Sequence, residues 1–233
     1  MCDGMVFVRN PLFQIYGYKA LQIFLYQDEF EVCNPLGQGR GKHKIFAVYF
    51  TLGNLHMLNC SKVDSLQLTL LCKCRFVEKC TLQSLFHPLL EDLKIIEEEG
   101  IDLDFEGNIK GTVICIAGDN LGSHFVSGFM TNFGSSEFLC RYCTARPTEF
   151  MQNPFQEIPL GTASTYADVQ LGNRLMLDHV NGIKFASPFN NLKYFHVCNP
   201  GMPPCTAHDL FEGIIAYDLI LIIKRFIYKR WFT

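Results

Sequence analysis

Dense apolar runs and helical periods take turns along the chain. Residues 21–27 (LQIFLYQ) are short, β-branched or aromatic and mostly apolar, which predicts a buried strand ending at Asp28. A turn-rich stretch with Asn34, Pro35 and glycines follows. Residues 44–52 (KIFAVYFTL) and 66–72 (LQLTLLC) predict two further strands. From 81 to 99 the period changes. Leu82, Leu85, Phe86, Leu89, Leu90, Leu93 and Ile96 recur at three and four residues, one apolar face of a helix. Gly100 is placed to end that helix as a left-handed cap, and Pro88 should kink or split it.

A small hairpin is expected over 101–110, turning at Glu106-Gly107-Asn108. Residues 112–117 (TVICIA) predict another buried strand, ending at Gly118-Asp119. Leu121, Phe125, Phe129 and Phe133 then give a helix over 120–133. Three strands, a helix, a strand and a helix is the order of a ribonuclease-H-like domain, an α/β mixed sheet with flanking helices. The rest is loop-rich, with helices expected at 166–179 and 206–228 and a Pro/Gly turn at 200–204. The chain therefore divides into a sheet core (1–135), a loop-rich insertion (136–205) and a last helix returning to the core (206–233).

Composition narrows the class. Hydrophobic residues at 48% against 18% charged exclude a disordered chain, and a net charge of −3 excludes a uniformly basic surface. The most apolar stretch, 213–223, is too short to span a bilayer and carries Asp218. No basic and then apolar leader opens the sequence, so clustered cysteines among the 11 read as metal ligands rather than disulfides.

Asp28 and Asp119 each sit at the C-terminal end of a predicted strand, where open α/β sheets gather their chemistry. Two carboxylates there repel unless a divalent cation lies between them, and paired Mg²⁺ ions about 3.5–4 Å apart serve phosphodiester chemistry. Asp is equally at home where strands simply end in turns. A third acid is sought in HDLFEGIIAYD. Glu212 lies one turn beyond His208, Asp209 suits a helix cap, and Asp218 is about 240° further round than Glu212. Glu212 leads, with the others, or a residue past Thr233, still open.

Cys140-x-x-Cys143 and Cys205-x-x-His208 have the spacing of two ligand pairs completing one tetrahedral zinc, with Cys198 and His196 as competitors. The loop GQGRGKHK fails as a nucleotide site, because no Gly precedes Gly41 by five residues and His43 replaces the Ser or Thr that would hold Mg²⁺. Its Arg40 and Lys42, with Lys44, suit contact with a DNA backbone, or else a solvated hairpin. His124, one turn past Asn120, faces either the scissile phosphate or, more commonly for such a residue, the core.

YQDEFEVCNPLG, KHKIFAVYFTLGNL, CIAGDNLGSHFVSGF, CRYC and PPCTAHDLFEG together resemble transposase-like proteins of animal genomes, distantly similar to CACTA-type transposases. The resemblance covers nearly the whole chain. It implies a ribonuclease-H-like fold whose acidic triad cuts and joins DNA at transposon ends. Asp28, Asp119 and Glu212 match the acids, served by Mg²⁺ or Mn²⁺, while Cys140, Cys143 and His208 match the motif residues around them. It further implies DNA as partner, a nuclear location and no membrane, and leaves room for a homo-oligomer. Such transposases are usually longer, so the chain is also expected to be a fragment. An inactive or domesticated DNA- or protein-binding module is the alternative; an unrelated nuclease explains the two aspartates but not the Cys/His pairs.

Overall fold

The computed structural model describes residues 4–32, 43–104, 106–133, 137–138, 140–153, 156–158, 160–162, 166 and 182–231. Its centre is a four-stranded mixed sheet in an α/β arrangement, built from β1 (Leu21–Glu31), β2 (Lys44–Leu52), β3 (Gln67–Lys73) and β6 (Gly111–Ala117). The spatial order is β3-β2-β1-β6, with β1–β2 and β2–β3 antiparallel and β1–β6 parallel. A separate hairpin pairs β4 (Ile101–Leu103) with β5 (Gly107–Ile109). It turns a little earlier than expected, with Gly107 entering β5 at φ +73°.

Alternation along β1 decides which face becomes core. Ile23, Leu25 and Gln27 are buried, whereas Tyr26 between them is exposed. On that inner face Ile23, Leu25, Phe46, Val48, Val113 and Ile116 join Phe86, Leu90 and Leu93 of the long helix in one cluster. Two short helices come first, α1 (Met5–Arg9) and α2 (Pro11–Tyr16), and α3 (Met57–Cys60) and α4 (Cys74–Val77) flank β3. Leu12 and Phe13 of α2 form a smaller cluster against Ile114 of β6 and Tyr194.

The long helix, α5 (Leu82–Glu98), starts where Thr81 Oγ1 accepts the Ser84 N–H at 3.1 Å. It ends at Gly100, whose φ of +88° is the left-handed cap expected there. The expected break at Pro88 does not occur, and one helix runs through it. Pro88 lies on the exposed side, where a carbonyl deprived of its donor can be hydrated. The core stripe of α5 ends in a carboxylate. Glu97 is buried, accepting from Thr112 Oγ1 at 2.5 Å and from the Lys193 N–H at 2.7 Å.

α6 (Asn120–Ser127) is shorter than its apolar period suggested. Gly128, at φ +81°, stops it, and its N–H bonds back into the last turn. Phe129 therefore belongs to the core beyond the helix. Of the helix expected at 166–179, only Tyr166 lies within the described residues. After α7 (Pro147–Gln152), the chain returns through a wide π-type segment, Thr206–Ile214, into α8 (Ile215–Tyr228). The α8 side chains are exposed, Tyr217 at 64%, Ile220 at 53% and Ile227 at 61%, and the helix packs against the segment before it. No helix among the described residues is long and apolar enough to cross a membrane.

Burial raises the Glu97 carboxyl above its ordinary value, opposed by hydrogen bonds from Thr112 and from the Lys193 and Tyr194 backbone. Glu97→Ala would leave the Thr112 hydroxyl and the Lys193 N–H without their partner. It should cost about 2–4 kcal/mol in urea unfolding at pH 7. The raised carboxyl favours the fold at low pH and is increasingly penalised as pH rises through its folded value. The stability gap between wild type and Glu97→Gln should therefore shrink as pH rises, measured by unfolding at several pH values.

Candidate active site

The parallel pairing of β1 and β6 sets Leu25 beside Ile116 and Tyr26 beside Ala117. Asp28 and Asp119 each stand two residues beyond that last pair. The two acids thus leave neighbouring strands at the same edge, and both line one cleft of about 990 Å³. Asp28 lies within β1 rather than after it, because β1 continues to Glu31 on its pairing with β2, where Asp28 faces Ala47. Asp119 caps α6, its Oδ1 accepting the Gly122 N–H at 2.7 Å. Asp28 Oδ1 accepts the Glu29 N–H at 2.8 Å, and its Oδ2 accepts from the Tyr26 hydroxyl at 3.1 Å.

Tyr26 reports the local field. Burial, then the charge and hydrogen bond of Asp28, then Cys205 and Asp119, push its hydroxyl up to about 12. Among the described residues no Lys or Arg forms an ion pair with Asp28 or Asp119. Carboxylates are hard-oxygen donors, the ligand type that Mg²⁺ or Mn²⁺ takes, and these two share one cleft lining.

The glycines around Asp119 have a packing reason. A side chain at Gly118 or Gly122 would overlap the Gln27 carboxamide, which lies against both. Gln27 is buried, and its Nε2 has no hydrogen-bond partner among the described residues. His124 also packs inward, 4% exposed, with ring centroids 4.8 Å from Phe133 and 5.9 Å from Phe129. It does not line the cleft among the described residues.

Cations and further acids, Glu29 and Glu78, share this lining. Lys44, Lys73 and Arg75 line the same cleft, and Lys44 lies 3.8 Å from Glu29. Arg40 and Lys42 lie outside the described residues. Lys73 and Arg75 escaped the sequence reading. The pairing of Ile45 with Lys73 brings them next to Lys44, and only the β2–β3 register carries that signal.

The Cys/His pairs hold together as pairs. Cys140 Sγ accepts the Tyr142 N–H at 3.3 Å, and Cys205 Sγ is 3.0 Å from His208 Nδ1. Hydrogen bonding from the His208 backbone, and then its ring, lowers the Cys205 thiol; Cys205 in turn raises the His208 ring, followed by Glu212 and Asp119. Glu212 is thus within electrostatic reach of His208, which also senses Asp119. Cys198 shares a small cavity with Cys140 and Cys143. Among the described residues, no three His, Cys, Asp or Glu side chains are gathered closely enough for one metal ion.

Polar side chains join these parts. Arg141 Nη1 donates to Asn120 Oδ1 at 2.6 Å, and Asn120 Nδ2 donates to Asp209 Oδ1. Asp209 Oδ2 accepts the Cys205 N–H at 2.9 Å. Arg141 Nη2 reaches the Pro203 carbonyl at 3.3 Å, and the Tyr142 hydroxyl donates to the Met202 carbonyl at 2.7 Å. Asp209 accordingly has both oxygens engaged, in the capping role foreseen for it.

Burial holds His124 down at about 4, with Arg141 acting in the same direction. In the unfolded chain it titrates near 6.5, so the unfolded state binds more protons between these values. Stability should fall as pH drops from 6.5 towards 4, by on the order of 3 kcal/mol from this ring alone. Unfolding at stepped pH should show that slope flattened in His124→Phe. In metal-free protein, iodoacetamide should label Cys205 faster than Cys115 or Cys198, whose thiols burial raises to about 12 and about 11. Peptide mass spectrometry over time reads the order.

No protein-family model and no curated protein matches this chain.

Proposed function

We propose that this chain carries the ribonuclease-H-like catalytic core of a cut-and-paste DNA transposase, which cleaves phosphodiesters at transposon ends in the nucleus. One observation carries the reading. Asp28 and Asp119 leave adjacent parallel strands at one edge and line one cleft. The strand order, with three antiparallel strands and a fourth parallel to the first, supports the fold assignment.

Asp28 and Asp119 would hold Mg²⁺ or Mn²⁺. Bound there, the cation supplies Lewis-acid activation of water and of the scissile phosphate. The chain's own part is to orient and to bind. The Glu29 and Gly122 N–H groups each fix one carboxylate oxygen, and Tyr26 steadies Asp28. Lys44, Lys73 and Arg75 hold the DNA backbone across the cleft. Glu212, near His208, is the leading third acid. Hydrolysis frees a 3′-hydroxyl, which strand transfer turns on a target phosphate.

A structural zinc on Cys140, Cys143, Cys205 and His208 belongs to this reading, with Cys198 and His196 as competing ligands. The 3.0 Å contact of Cys205 Sγ with His208 Nδ1 supports one ligand pair, and binding would have to draw the two pairs together. The second reading, a non-catalytic DNA- or protein-binding module, is favoured by the absence of a gathered third acid among the described residues.

The deciding experiment is nicking of plasmid DNA with Mg²⁺ or Mn²⁺. Wild type should nick, EDTA should stop it, and Asp28→Asn and Asp119→Asn should each lower the rate at least about 100-fold. Full activity in Asp28→Asn would remove the enzyme reading, whereas wild-type DNA binding with no nicking would favour the module. Lys73→Ala and Arg75→Ala should each weaken DNA binding and reduce the salt slope by about 1, read by anisotropy across a salt series.

A further inference from the structure

We infer that Arg141 and Asp209 are positioning residues. Through the carboxamide of Asn120 they latch the turn bearing Asp119 to the helical segment bearing Glu212. The inference rests on the catalytic reading above, but the latch itself can be measured without activity.

The geometry is specific. Asn120 directly follows Asp119 and opens α6, so the position of its side chain and that of the Asp119 backbone are coupled. Its carboxamide is used at both ends, accepting from Arg141 and donating to Asp209. Turning the amide over would point its NH₂ at a guanidinium and its oxygen at a carboxylate, two repulsions at once. The cation and the anion therefore dictate one orientation. Asp209 also binds the Cys205 N–H at the mouth of its own segment. Arg141 also grips the Pro203 carbonyl and lies 4.5 Å over the Tyr142 ring.

Arg141 is only 7% exposed, an expensive place for a guanidinium, and its Nε has no hydrogen-bond partner among the described residues, so its two Nη atoms carry its side-chain bonds. Its two Nη atoms serve elements far apart in sequence, the start of α6 and the approach to Cys205. Met202 is held in the core by packing, the α8 side chains beyond are exposed, and between them polar ties join this segment to Asn120 and Arg141. Glu212 lies three residues past Asp209 on that segment. Removing Arg141 would leave the Asn120 carboxamide and the segment without their common anchor. The cleft cations Lys44, Lys73 and Arg75 are carried by β2, β3 and α4 and do not depend on it.

The test has two arms. Hydrogen–deuterium exchange should show peptides over 203–212 and 119–124 exchanging faster in Arg141→Ala than in wild type. In nicking assays Arg141→Ala should lower kcat and raise the Mn²⁺ concentration for half-maximal rate, each by about 10–100-fold. KM for DNA should stay within about twofold. Arg141→Lys keeps the charge but cannot span Asn120 and Pro203 together, so it should restore the fold and only part of kcat, and it replaces Arg141→Ala if that variant does not fold. Unchanged exchange at 203–212 overturns the latch whatever the activity. Faster exchange with wild-type kcat and metal response overturns the positioning role. If wild type itself does not nick, the catalytic reading fails, and the positioning role with it, while the exchange arm still decides the latch.

Discussion

The parallel pairing of β1 with β6 is the constraint on which the candidate site depends. In a parallel pair, residues in register leave their strands in the same direction, so acids at matching positions arrive side by side. The pair carries a one-residue irregularity between Ile23 and Phe24, after which Tyr26 lies beside Ala117, and Asp28 and Asp119 follow two residues later. A slip of one residue would send one carboxylate to the other face of the sheet. The inner-face cluster of Ile23, Leu25, Val113 and Ile116 opposes such a slip, because it would bring polar groups into the core.

Around this edge, the chain spends buried polar groups where an ordinary core would use apolar ones. Gln27 lies against Gly118 and Gly122, Glu97 ties α5 to β6 and to the Lys193 backbone, and Arg141 reaches two parts of the chain. Each group restricts how neighbouring elements can sit, since a displaced polar partner costs more than a displaced methyl. Whether Cys140 and Cys143 join Cys205 and His208 on one zinc is part of the proposed function. Arg141 and Tyr142, which lie between those two cysteines, already bind the approach to Cys205 through hydrogen bonds.

Several elements were legible because their cause is local. The strands at 44–52 and 111–117 and the helix at 82–98 follow from dense apolar runs and from a three-and-four repeat, and Gly100 closes its helix as expected. Other boundaries were misread for equally physical reasons. The apolar spacing through Phe129 and Phe133 continues past Gly128, but a left-handed residue ends a helix whatever follows it. Pro88 interrupts nothing because its side of α5 meets water. The segment 206–214 winds more widely than an α-helix, which changes which residues share a face.

Sequence alone determined that this chain is an α/β protein and where its Asp28, Asp119 and Cys/His spacings fall, because patterning and spacing act over a few residues. It could name Asp28 and Asp119 as partners only by assuming a sheet order. Which strands lie side by side, and in what register, is decided by burial across the whole core, and that alone brings Lys73 to Lys44 and Arg141 to Asn120. Contacts between residues far apart in the chain leave no local periodicity to read, so their discovery had to wait for the fold.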